Sequence, residues 1–396
     1  MIKKIILSFA TLFLLSCDNT LSSDPFEDSD GRLYVALQGM GNKVAILNTR
    51  DLSLIEMINI DFSNGSMMME MPHYIAIDDY NSSQGYWFVT TMGSSSVGMF
   101  SLESNELIDV ISLESPPALF EIDPASETLY VSRMPSVDLL GSGMAMGSAS
   151  SVIDKITYSS EGMLLDNAGY DTNHPSPHAI SINVDDADSN IITASLTEDF
   201  ITKINLVSGN IVSTSLDPSV NPNPIPNINR LKPLEIVQAN GFAFITCMGG
   251  EWGENNENIN GQVQVWDIAN LVKVSEYEFG LNSNPWHIAH DFQEKAVYVT
   301  LSGYTDGSEG ESAIIKLGYS SDGHLNLDWE NRSSDLKLLH GIDVGLYGSD
   351  DLYVSSRDGS IYKLNKRTGA IESIQNLTTD EMPYPAPGGI KFVHIP

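Results

Sequence analysis

One short pattern recurs along the chain. A proline or leucine is followed by two variable residues and then by Ile-x-Ile or a close variant. It reads "PHYIAID" at Pro72, "PALFEID" at Pro117, "PHAISIN" at Pro177, "PLEIVQA" at Pro233, "PWHIAHD" at Pro285, "LHGIDVG" at Leu339 and "PGGIKFV" at Pro387. Successive anchors lie 45, 60, 56, 52, 54 and 48 residues apart. A period of that length, carrying only strand-like runs, is the span of one propeller blade and too β-rich for a helical repeat. After each anchor comes a second alternating run such as "YWFVTT", "AVYVTL" or "LYVSS". A third follows, and then a fourth after turn pairs such as Ser208-Gly209, Asp322-Gly323 and Thr368-Gly369. Four antiparallel strands per unit make a blade.

The strand count at the ends predicts how the ring closes. Residues 31 to 60 hold strands two, three and four with no first strand ahead of them, whereas "PGGIKFVHI" is a first strand with no successors. Paired, the two fragments complete one blade and leave no open sheet edge. The expected fold is therefore all-β, a seven-bladed β-propeller spanning residues 31–396 and closed by pairing N-terminal strands with the C-terminal one. The runs "LYVALQGMGNKVAILNTRDLSLIEMINI" and "AVYVTLSG" resemble the YVTN-type propeller repeat found in many secreted bacterial proteins. That resemblance implies the fold. It leaves function open, because propellers host binding modules, lactonases, dehydrogenases and copper enzymes alike.

The start of the chain points outside the cell. Lys3 and Lys4 precede the apolar run "IILSFATLFLL", too short to span a bilayer and suited to a secretory signal over residues 1–16. "LLSC" resembles the lipobox of bacterial lipoproteins, which implies a lipid on Cys17 and anchoring to a bacterial membrane, at its periplasmic face or the cell surface. Residues 17–30 are polar and acidic and read as a tether. Without Cys17 only Cys247 is left, so no disulfide forms within the mature chain. With 52 carboxylates against 20 Lys and Arg, a formal charge of −32, the chain repels phosphate backbones, and nucleic acid is not an expected partner.

Five of the eight histidines fall close to an anchor, where chance would put about one. His73, His178 and His340 come directly after it, His287 one place later, and His174 three residues before Pro177. In a propeller the anchors open the channel-lining strands, so these side chains are expected at one rim. Two readings stand. The histidines are blade-to-blade polar ties inherited by duplication, or they form a ligand set, since neutral imidazole is a common ligand of zinc and copper.

Met71, with Met67, Met68 and Met69, precedes His73, and Met134, Met144, Met146, Cys247 and Met248 lie between second and third strands, on the same expected face. Thioether, thiolate and imidazole together suit copper. They also suit a pliable apolar surface. The metal candidates are thus His73, His178, His287, His340 and Met71, with His174, His290, Cys247 and Met248 in second place. Because the four histidines come from different blades, one ion is not expected to reach them all. The acidic insertions at 247–261 and 305–312 read as solvated loops rather than calcium sites. No haem-attachment, nucleophile-elbow or phosphate-loop motif occurs. The leading expectation is a lipid-anchored binding module for a protein, glycan or small molecule at the rim. The alternatives are a copper-dependent oxidoreductase and a lactonase-like hydrolase.

Overall fold

The computed structural model describes residues 31–394 except 40, 64–68, 80–84, 136–149, 185–188, 218–229, 250–258 and 304–311. Signal, tether and Cys17 lie outside the described residues, as do Met67, Met68, Met144, Met146 and most of both acidic insertions. All described elements are strands, in seven four-stranded sheets. Blades 2 to 7 each take four consecutive strands, and the innermost strand of every blade begins at its anchor residue. These are β4 (Pro72–Asp78), β8 (Pro117–Asp123), β12 (Pro177–Asn183), β16 (Pro233–Ala239), β20 (Pro285–Asp291) and β24 (Leu339–Val344). Blade 1 joins β28 (Pro387–His394) to β1 (Gly31–Leu37), β2 (Lys43–Asn48) and β3 (Leu54–Asn59). The closing pair is antiparallel, from Gly31 opposite His394 to Leu37 opposite Pro387. Fold and closure are those the repeat predicts.

Burial falls off from the channel outward. The second strands β5 (Tyr86–Thr91), β9 (Thr128–Arg133), β13 (Asn190–Ser195) and β21 (Ala296–Leu301) are buried at every position. They pack against a neighbouring blade on both faces, so their sequences are apolar runs rather than alternations. The outermost β27 (Ile371–Asn376) alternates half-buried and exposed residues, as a strand with one wet face should.

Two local features recur at the anchor end. The residue before the anchor has φ between 44° and 54° in six blades, at Met71, Ser176, Lys232, Asn284, Leu338 and Ala386, and is Pro116 in the seventh. Left-handed backbone at a non-glycine residue costs about 1–2 kcal/mol. In every blade one bond holds the residue before the anchor, left-handed or proline, with the amide just beyond the second strand donating to its carbonyl: Met92 to Met71, Met134 to Pro116, Leu196 to Ser176, Met248 to Lys232, Ser302 to Asn284, Arg357 to Leu338 and Gln38 to Ala386.

The second feature is a β-bulge. Each innermost strand carries one extra residue directly after the anchor, for example between Pro72 and Ile75 opposite Thr91 and Val89, and between Pro285 and Ile288 opposite Leu301 and Val299. Such a bulge unpairs backbone groups and re-aims side chains. A hydroxyl opposite it satisfies them. Thr90, Ser132, Thr246, Thr300 and Ser355 each accept from an amide in the bulge of their own blade. Each then donates to the carbonyl one residue past the anchor of the next blade: Ala118 at 3.1 Å, His178 at 2.6 Å, Trp286 at 2.8 Å, His340 at 2.6 Å and Gly388 at 2.5 Å. Five of the seven seams are thus bridged at the channel wall by one hydroxyl.

Replacing Thr300 with the isosteric valine removes the donor to His340 O and the acceptor for His287 N at once. Stranding buried polar groups costs about 1–3 kcal/mol. Urea unfolding of Thr300→Val is expected to show that loss with native circular dichroism retained; a change within a few tenths of a kcal/mol would contradict the bridging role.

Candidate ligand site at the channel mouth

In a regular strand the first and second residues after the anchor would face opposite sides of the sheet. The bulge lets both reach the channel, and it thereby brings histidines from two different repeat positions together. His73, His178 and His340, one place after their anchors, meet His287, two places after its own. Ring centroids are 6.1 Å apart for His73 and His178, 6.4 Å for His73 and His340, and 4.7 Å for His287 and His340. All four side chains are buried, none of the residues more than 6% exposed. The half-buried Trp286 lies 5.1 Å from His340 on the same wall.

Three of the rings use Nδ1 to tie blades together. The two seams without a bridging hydroxyl are those where the equivalent position is alanine, Ala36 in blade 1 and Ala194 in blade 4. At the second, His178 Nδ1 donates to Leu234 O at 2.8 Å, the very carbonyl that a hydroxyl serves elsewhere. At the first, Gln38 of blade 1 meets His73 Nδ1 at 2.7 Å. Gly388 makes room for that glutamine, because a Cβ there would stand 2.4 Å from Gln38 Nε2. His287 Nδ1 lies 2.8 Å from Glu235 Oε2, which also accepts from Ile288 N, while Tyr74 Oη donates to Glu235 Oε1. Blade-to-blade ties therefore account for one nitrogen each of His73, His178 and His287. The nitrogens His73 Nε2, His287 Nε2 and His340 Nδ1 are buried and find no hydrogen-bond partner among the described residues. Buried polar atoms are paired in native proteins as a rule, so three orphans at one mouth call for an occupant.

Burial, reinforced by the neighbouring imidazoles and by the exposed Arg357, holds His73 and His340 well below the usual histidine range. Burial likewise takes His178 down to about 4. These rings are neutral at pH 7. Deeper in the channel stand Glu121, Asp343 and Lys391, four places past their anchors. Burial lifts Glu121 to about 7 against the pull of Lys391, and it raises Asp343. Lys391 lies 3.7 Å from Asp343 and over the Tyr74 ring. Burial pushes Glu235 up too, yet His287, the Ile288 amide and Lys391 together bring it below the ordinary carboxylate value.

The remaining candidates lie elsewhere. Met71 has left-handed backbone and packs against the core between blades 2 and 3. Met134 belongs to that same core, while Met248 is fully buried against Leu196, Leu234 and Trp286. Cys247 is a buried thiol amid Ile192, Ala194 and Ile245, its pKa raised by burial, which makes it a poor thiolate ligand. His174 pairs with Glu198 at 2.8 Å and stacks on Phe200. His290 bonds Tyr319 Oη at 2.7 Å beside Phe244, in a seam between blades, and burial lowers it to about 4. Sequence reasoning passed over Gln38, Tyr74, Glu235 and Arg357. Glu235 had a signal, a carboxylate inside an apolar innermost strand.

No protein-family model matches the chain, and no curated protein matches it. Solved structures do. A functionally unknown protein from Desulfotomaculum acetoxidans superimposes with a TM-score of 0.60 at 12% identity, over 92% of this chain and 99% of that one. A protein from Lactobacillus plantarum gives the same score and identity over 92% and 100%. Hydrazine synthase from Kuenenia stuttgartiensis gives 0.57 at 14% over 88% and 93%. At such identity the likeness shows the seven-bladed fold alone.

The pH dependence of stability follows in sign. His73, His178, His290 and His340 all have folded pKa values below the unfolded one of 6.5, so their contribution is complete above about pH 6.5 and is lost as pH falls toward 4. Glu121, Asp154 and Asp343, raised, act in the opposite direction. Each fully titrating group changes stability by about 1.4 kcal/mol per pH unit, so four imidazoles outweigh three carboxylates. Urea midpoints are expected to drop clearly between pH 7.5 and 5; a midpoint that holds or rises would contradict the buried neutral cluster.

Proposed function

We propose that the chain is a non-catalytic binding module held outside a bacterial membrane, with lipid on Cys17, which takes a small ligand at the imidazole mouth of its channel. One observation carries this reading: three buried ring nitrogens without partners among the described residues lie at the end of the channel that all seven blades share. The burial of those atoms favours a small ligand over a protein surface or a glycan chain, since an extended partner would rest on the rim without reaching them. The mouth thus presents unpaired imidazole nitrogens that donate or accept according to their tautomer, which suits a small polar ligand or a metal ion.

His340→Phe is the cleanest test, because the orphan Nδ1 of His340 makes no tie to a neighbouring blade. Thermal-shift screening of the wild type against small polar organic compounds and metal ions should find at least one stabilising ligand whose effect is lost in His340→Phe. If no compound stabilises the wild type, or if every hit survives the substitution, the mouth is not the site.

A further inference from the structure

The donor arrangement also selects the ligand, on the reading that the mouth is where ligand binds. Among the described residues no three His, Cys, Asp or Glu side chains are grouped so as to hold one metal ion. Zinc wants four ligands, at least three of them from protein. The mouth does not supply that. It does supply a pair: His73 Nε2 and His340 Nδ1 are both orphaned, and their ring centroids stand 6.4 Å apart. With metal–nitrogen bonds near 2 Å and a ring centre roughly 1.1 Å beyond each nitrogen, two imidazoles in line on one ion have centroids roughly 6.2 Å apart, close to the spacing here. His287 carries a third orphan, its ring centre 4.7 Å from that of His340.

We infer that the channel mouth binds one monovalent copper ion between His73 Nε2 and His340 Nδ1. Cu(I) has a filled d shell, carries a single charge, and is satisfied by two ligands in line. The surroundings favour it over a divalent ion for an independent reason. Arg357 raises the positive potential at His73 and His340, and a dication meets twice the repulsion that a monocation does. Glu235, bonded behind His287, supplies a compensating negative charge.

Gln38 completes the set. With its Nε2 toward His73 Nδ1, it leaves the ring proton on His73 Nε2; half a turn of the amide places Oε1 there instead, moves the proton to Nδ1 and frees Nε2 for the metal. No electron transfer or covalent step is involved. Ligands and ion keep their oxidation states.

The test uses the full mature chain under anaerobic, reducing conditions, loaded with Cu(I), Zn(II) or Ca(II) and desalted before metal analysis. One equivalent of copper is expected, with little zinc or calcium, and the copper X-ray absorption fine structure should show two nitrogen neighbours near 2 Å. His340→Phe should cut retained copper at least tenfold. His290→Phe, in a seam away from the mouth, should retain it, and both variants are checked for native circular dichroism. Copper retained by folded His340→Phe, or zinc bound as tightly as copper, overturns the inference. A wild type that takes no copper, yet has an organic ligand whose stabilising effect needs His340, overturns the copper assignment and leaves the binding reading intact. If neither copper nor any organic compound depends on His340, both fall.

Discussion

One extra residue in each innermost strand sets the geometry of everything near the channel. The bulge exposes backbone amides and carbonyls where strand pairing would have hidden them, in a place too buried for water to be an easy substitute. The chain answers with a serine or threonine opposite the bulge. That hydroxyl accepts from its own blade and donates to the next, so repair of a local defect becomes the joint between blades. Where the position is alanine, the joint is rebuilt from imidazoles: His178 takes over the carbonyl of Leu234, and His73 engages Gln38. On the proposed reading, structural tie and ligand donor are two sides of the same ring.

This resolves why histidine is not required in every copy. Blades joined by a hydroxyl are free to hold Ala118, Trp286 or Gly388 in the slot, and they do. His340 follows a seam already bridged by Thr300, so its ring has no architectural duty there. Of the four, it is the residue whose presence is hardest to explain by stability alone. The same division separates the mouth from the protein's exterior. An envelope carrying a formal charge of −32 surrounds a site whose own ligating groups are neutral, with one exposed guanidinium beside them.

The repeat made the strands, the blade count and the closing pair legible, because apolar alternation and turn chemistry are local and survive duplication. The bulge was not legible as such. Its only trace was that His287 sits one place later than its counterparts, which in an unbulged strand would have turned it to the opposite face of the sheet. The bridging hydroxyls were present in the same quoted runs, as Thr90, Thr300 and Ser355, but a threonine in a strand reads as ordinary β propensity. Proximity to an anchor overcounted the cluster. His174 precedes the strand and is captured by Glu198 and Phe200. Methionine and cysteine position predicted the right end of the molecule and the wrong environment, since Met134, Cys247 and Met248 turn into the packing between blades.

The account stands on which nitrogen of each ring carries the proton. Long-range proton–nitrogen correlation spectra of the isotopically labelled protein at pH 7.5 report this directly for every imidazole. His178 should appear as a neutral ring protonated at Nδ1 with bare Nε2, held by Leu234 O. Protonation at Nε2 with a bare Nδ1, or doubly protonated rings at that pH, would mean that the seams are not closed as described and that the mouth offers no lone pairs to a ligand.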